Sequence, residues 1–119
     1  MTPTPTQGIK TVLHPVADLA AATPLYAALL GVEPTFASDF YVGFDAQGQH
    51  IGLVPRAASA AASPVAYWHV ADIQAKLAEV MAAGASVHDG VRDVGGGRLV
   101  ATVSDVDGNL LGLLQDRPQ

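Results

Sequence analysis

The 119-residue chain contains no cysteine, so neither disulfides nor thiolate chemistry is open to it. Charged residues are scarce, at 14%, and the six basic ones are scattered. Nucleic acid and anionic membranes both require clustered lysine and arginine, so neither is expected as a partner. A net charge of −5 leaves room only for a mild preference for neutral or cationic ligands. Aromatic residues make up 6%, which makes each ring worth following. No apolar run approaches the ~20 residues of a membrane span. The opening TPTPTQG lacks the basic and apolar regions of a secretory signal, so a cytoplasmic location is expected. What the chain has in excess is small apolar residues. Half of it is hydrophobic and much of that is alanine, which suits a compact domain with closely packed helices.

The chain also states one pattern twice. Val16, Asp18 and Leu19 open a helical stretch ending at Leu30 and Gly31; Val70, Asp72 and Ile73 open a second ending at Ala83 and Gly84. Each copy then closes on a short apolar strand broken by glycine, Ile51-Gly-Leu53 and Leu111-Gly-Leu113. A repeat of this kind marks a duplicated supersecondary unit.

Residues 1–8 read as a flexible arm of alternating Thr and Pro. The first module covers 9–54, the linker 55–64 and the second module 65–115, all within one compact domain. Strand Ile9–Val16 carries Pro15, which cannot donate to a ladder, so an edge or seam position is expected. Asp18 is placed to cap the helix that follows, with Leu19, Ala22, Leu25, Tyr26, Leu29 and Leu30 as its apolar stripe. Pro24 leaves its first turn open, with a restart capped by Thr23 as the alternative. Strands are expected at Thr35–Ser38, Phe40–Phe44 and Gln49–Val54, the last two joined by the turn Asp45–Gly48. The second module repeats the order: strand Val65–Val70, helix Ile73–Ala83 capped by Asp72 and packed through Ile73, Leu77, Val80 and Met81, then strands Ser86–Val91, Arg98–Val103 and Leu110–Gln115. Each module is βαβββ and the class is α+β.

On these features, namely the V-x-D-[LI] helix starts, Tyr26 with Leu30 and Gly31 at the helix end, and the terminal DVDGN-LLGLLQ hairpin, the chain resembles the vicinal oxygen chelate superfamily. That family includes glyoxalase I, extradiol dioxygenases and bleomycin-resistance proteins. The resemblance spans about Ile9 to Gln115 and implies two tandem βαβββ modules forming a curved mixed sheet around a cavity, often in a homodimer. Metal-dependent members hold a divalent ion through four side chains, usually His and Glu. The matching positions here are Thr11, Gly52, Val65 and Gly112. Glycine and valine offer no donor atom and threonine only a weak neutral one, so no metal and no other cofactor is expected.

Strand parity places His50 on the face of Gly52, and Tyr67 and His69 on the face of Val65. One of Phe40 and Tyr41 must share the corresponding face of its strand. Tyr41, His50, Tyr67 and His69 are therefore the candidate ligand-binding residues, since rings with polar tips supply contact area plus a hydrogen bond. No catalytic residue is assigned. His14, Tyr26 and Trp68 fall on the helix-covered side, and His88 beside Asp89 is expected at the surface. Asp105–Asn109 is too short for an EF-hand and reads as a self-bonded turn. Gly95–Gly97 neither precedes a Lys-Ser/Thr pair nor opens a helix, so it is a hairpin tip and not a phosphate loop.

The expected function is metal-free binding of a small organic molecule, sequestering an antibiotic or metabolite in the manner of the bleomycin-resistance branch. The alternative is a lyase, isomerase or dioxygenase-like enzyme, using either a metal site rearranged around His50 and His69 or acid–base chemistry, for example His69 paired with Asp45 or Glu33. A third reading is a structural module whose interior is filled by its own side chains.

Overall fold

The computed structural model describes residues 5–56 and 63–116. The chain divides into two compact units, Lys10–Ala66 and Tyr67–Gln119, the latter joined by Met1–Ile9. Among the described residues, eight strands and two helices make it an α+β protein.

In the first unit, strand β1 (Ile9–Val16) leads to helix α1 (Leu19–Leu30), then β2 (Phe36–Ala37), β3 (Val42–Ala46) and β4 (Gln49–Pro55). The strand order is β2-β3-β4-β1, with β1 parallel to β4 and the other pairs antiparallel. Pro15 lies on β1 opposite Val54 of β4. The β3–β4 turn puts Gln47 and Gly48 at φ 54° and 75°. Two positive φ values mark the type I′ geometry that matches strand twist, and they bring Asp45 directly opposite His50.

Helix α1 starts on Asp18, whose carboxylate accepts from the N–H groups of Ala20 and Ala21 at 3.0 and 3.3 Å. Pro24 does not restart it. The helix runs unbroken, and Thr23 bonds its hydroxyl back to the Leu19 carbonyl at 2.7 Å instead of capping. The inner face also differs from the expected stripe. Leu19, Ala22, Tyr26, Ala27 and Leu30 pack on Val42, Phe44 and Leu53, whereas Leu25 and Leu29 are 68% and 75% exposed. At 100° per residue these two leucines lie roughly a quarter to a third of a turn from the centre of the inner face. Gly31 ends the helix at φ 73°.

The second unit repeats the plan with β5 (Val65–His69), α2 (Ile73–Ala82), β6 (Ser86–Asp93), β7 (Leu99–Ser104) and β8 (Leu110–Gln115), in the order β5-β8-β7-β6. The β5–β8 pair is parallel and the remainder antiparallel. Asp72 caps α2 through the Ala75 N–H at 3.1 Å, and the Gln115 side chain accepts from the Ile73 N–H at 2.8 Å. Ile73, Val70, Ala101 and Leu113 form the core, joined by Trp68 and Leu77. Met81, expected on this face, is 47% exposed. The arm's last residues pair with β5: Gln7 N–H donates to the His69 carbonyl, and His69 N–H to that of Gly8. Of the linker, residues 57–62 lie outside the described set. Among the described residues no helix is long and apolar enough to cross a membrane.

Candidate functional site

Strand alternation that sends Val42, Phe44 and Leu53 toward α1 leaves Gly43, Asp45, His50 and Gly52 on the opposite face of the first unit's sheet. Two of these are buried glycines lying side by side in register, Gly43 beside Gly52. A Cβ at Gly52 would come within 2.3 Å of Tyr41 Oη and 2.6 Å of Leu13 Cδ2. One at Gly43 would meet His50 Cε1 at 2.7 Å and Tyr41 Cε2 at 3.0 Å. The glycines form a floor on which the Tyr41 and His50 rings lie, nearly parallel at 11° with centroids 5.9 Å apart.

Tyr41 precedes β3, which begins one residue later, at Val42, and not at Phe40. A turn built by Ser38 fixes it: Ser38 Oγ accepts from the N–H groups of Phe40 and Tyr41, and Ser38 N–H donates to the Tyr41 carbonyl at 2.8 Å. Phe40 consequently points outward and is 78% exposed, while the tyrosine is half-buried.

The polar tips of these rings are connected. Tyr41 Oη bonds His50 Nε2; His50 Nδ1 lies 2.9 Å from Asp45 Oδ1; and Thr35 Oγ1 donates to Asp45 Oδ2 at 2.6 Å. A carboxylate only accepts, so the Nδ1 of a neutral imidazole must carry the hydrogen facing Asp45. Nε2 is then the acceptor and the tyrosine hydroxyl the donor. Thr11, buried and in register with His50 on β1, borders the same row.

In the second unit the equivalent face carries Tyr67, Gly112 and Thr102 in register across β5, β8 and β7. A Cβ at Gly112 would lie 2.5 Å from Tyr67 Cδ2 and 2.6 Å from Cγ, so here too a tyrosine ring fills the space above a glycine. Tyr67 is buried, which raises its phenol above the ordinary value, with Asp89 adding to the rise and Arg92 opposing it. Thr102 Oγ1 contacts His88 Nδ1 at 3.2 Å and Asp89 at 3.5 Å. His69 is buried, and its Nδ1 lies 3.3 Å from Asp116 Oδ2, a carboxylate also held by Arg98 at 2.7 Å.

Asp45 lies against His50, and Asp116, 47 residues away in sequence, lies against His69. Among the described residues no group of three or more His, Asp or Glu side chains converges as a metal site. His14 packs edge-on to Tyr26 with Nδ1 3.1 Å from its hydroxyl, on the helix side as expected, and burial lowers its pKa. Asp105 accepts from the N–H groups of Asp107 and Asn109 and from the Asn109 side chain, the self-bonded turn anticipated. Sequence reasoning named Asp45 only as a candidate partner of His69 and passed over Thr35, Ser38 and Asp116 as site residues. Hairpin register alone could have paired Asp45 with His50, since a two-residue turn at Gln47 and Gly48 puts them opposite.

The chain belongs to the Glyoxalase/Bleomycin resistance protein/Dioxygenase superfamily, whose family profile matches residues 8–113. No curated protein shows a significant match. Among solved structures it is similar to hypothetical protein BH1468 from Bacillus halodurans C-125, at 14% identity and TM-score 0.77, with 93% of this chain and 95% of that one covered. Methylmalonyl-CoA epimerase from Mycobacterium tuberculosis matches at 20% identity and TM-score 0.74, covering 99% and 94%. A superfamily member from Vibrio splendidus 12B01 matches at 18% and 0.67, covering 90% and 97%. Identities this low establish the fold alone. The four positions at which the family's metal would be held do not fit it here. Gly52 and Gly112 have no donor and are roofed by tyrosine rings, and Val65 is apolar and buried.

Proposed function

We propose that this protein binds a small organic molecule without a metal, using aromatic surface and the Tyr41 hydroxyl where metal-dependent relatives use an ion. The observation that carries this reading is the exchange itself: at both Gly52 and Gly112 the space of a ligating side chain is taken by a tyrosine ring. Rings of this kind select flat or amphipathic guests by contact area, with one polar atom to orient them. Lys10 and Arg56 are the only basic residues between positions 10 and 66, against four acidic ones, which favours a neutral or cationic guest over a phosphorylated one. Sequestration of an antibiotic or toxic metabolite is the role such a guest suggests. A homodimer is part of the same proposal, supported by α1, which has no charged residue and leaves Leu25 and Leu29 exposed.

The test is thermal melting with chelator present, against neutral, cationic and anionic aromatic compounds. A true ligand at a hundredfold over its Kd stabilises by about 2.7 kcal/mol, a rise of several degrees, and Tyr41→Ala should abolish that rise. No shift with any neutral or cationic compound would defeat the reading.

A further inference from the structure

On the second unit's sheet we infer a separate site for a small carboxylate carried on an apolar or aromatic body, with Arg92 and the Tyr67 hydroxyl as its binding residues. The inference goes beyond the first unit and shares with the binding reading only the tyrosine ring above Gly112. The backbone of β6 carries it. Asp89 and Arg92 are three residues apart, so a regular strand would send them to opposite faces. Instead the ladder slips between Val87 and Asp89 and again between Asp89 and Arg92, pairing Asp89 with Thr102 and Arg92 with Val100. Thr102 and Val100 are two apart on β7, so both charged residues share the face that carries Tyr67 and Gly112.

The groups gathered there are unequally satisfied. Asp89 is engaged: His88 Nδ1 lies 3.4 Å from its Oδ2, and Thr102 Oγ1 donates to the same oxygen at 3.5 Å. Of the basic residues between Tyr67 and Asp116, Lys76 pairs with Glu79 at 2.6 Å and Arg98 with Asp116 at 2.7 Å. Arg92 has no ion pair or hydrogen bond among the described residues. Tyr67 Oη likewise has no hydrogen-bond partner among them, although its ring is buried and set tightly over Gly112. Beyond its burial, this phenol feels both charges, the guanidinium more strongly than the carboxylate. Together the two charges therefore favour an anion beside the hydroxyl. The planar fork of guanidinium donors matches the two oxygens of a carboxylate, and the phenol adds a third donor. One negative charge balances Arg92, whereas a phosphate dianion would leave an excess facing Asp89. Half-buried Val100, in register with Arg92, and the tyrosine ring supply the apolar contact.

The probe is benzoate, with benzamide as its uncharged counterpart and inorganic phosphate as the competing anion. Proton–nitrogen correlation spectra of labelled protein, with chelator present, follow each titration. Benzoate should move the Arg92 Nε signal and the amide signals of Asp89 and Tyr67 saturably, and bind about tenfold or more tighter than benzamide. Arg92→Gln should lose that preference, and Arg92→Lys should keep part of it, retaining the charge without the fork. Tyr67→Phe should weaken benzoate by about threefold or more. Added salt should weaken benzoate and leave benzamide unchanged. Arg92 is exposed, so its replacements test the charge without touching the core. Bulges that only blunt an edge strand would leave benzoate and benzamide equal, which overturns the proposal. Unchanged benzoate affinity in Arg92→Gln, or no saturable shift in the wild type, also overturns it, as does phosphate binding tighter than benzoate. Melting shifts with neutral and cationic guests, and their loss in Tyr41→Ala, test the binding reading by themselves, so either reading can fail alone.

Discussion

In the unit Lys10–Ala66 the ring above the glycine arrives from a turn ahead of β3, whereas in Tyr67–Gln119 it stands on β5 as the glycine's own register partner. Tyr41 is half-buried and ends in a hydrogen-bonded chain; Tyr67 is buried in mid-strand, beside Asp89 and Arg92. One duplicated plan has thus filled equivalent positions in two physically different ways. A ring set on a turn can shift with that turn, while a ring set in a strand is fixed by its backbone on both sides.

The largest effect that would break or sharpen this contrast comes from adding one methyl group to each floor. Gly112→Ala drives a Cβ into the body of a buried ring and should cost about 3 kcal/mol, the upper end of overpacking. Gly52→Ala meets the far ends of Tyr41 and Leu13, which can move aside, and should cost about 1 kcal/mol. Urea denaturation of both variants checks the order. Equal losses would mean that the two tyrosines are held alike. Gly52→Ala should nonetheless remove the function that depends on Tyr41, because the displaced hydroxyl no longer reaches His50.

Smaller effects are expected from pH, with opposite signs in the two units. Burial raises Tyr67, so the folded state resists its ionisation. The resulting stability is complete below the ordinary phenol value of 10.0 and is lost as pH rises past it. Tyr67→Phe should flatten that alkaline loss. His14 behaves in the reverse sense: burial lowers its pKa, so its contribution holds above the ordinary 6.5 and is lost as pH falls through that value. Melting curves across pH for the wild type, Tyr67→Phe and His14→Gln separate the two. A Tyr67→Phe profile identical to wild type would show that the phenol carries no such linkage.

Much of this fold is legible in the sequence because its signals are local. Asp18 and Asp72 cap where their spacing says they should, a hairpin turn falls within Asp45–Gly48, and Asp105 folds back on Asn109. Parity alone assigns Trp68 and His14 to the helix side. The failures have physical causes too. An apolar helix such as α1 has no polar face to orient it, so Leu25 and Leu29 cannot be told from Ala22 and Ala27 by pattern. The choice between Phe40 and Tyr41 depends on a turn closed by Ser38, two residues before the strand expected there. His69 and Asp116 meet only through the parallel pairing of β5 with β8, which no local spacing encodes. At the candidate site itself, the sequence displays Tyr41, His50, Tyr67 and His69 as separate rings. The hydrogen-bonded chain from Tyr41 to Thr35 and the two roofed glycines exist only once the strands are in register.

Tyrosine rings replacing donor side chains at Gly52 and Gly112 is the premise beneath both functional proposals. Calorimetric titration of chelator-stripped protein with zinc, nickel, manganese and ferrous ions tests it most directly. The expected result is no saturable one-to-one binding with any of the four. A tight site of one ion per chain that vanishes in His50→Ala would contradict it.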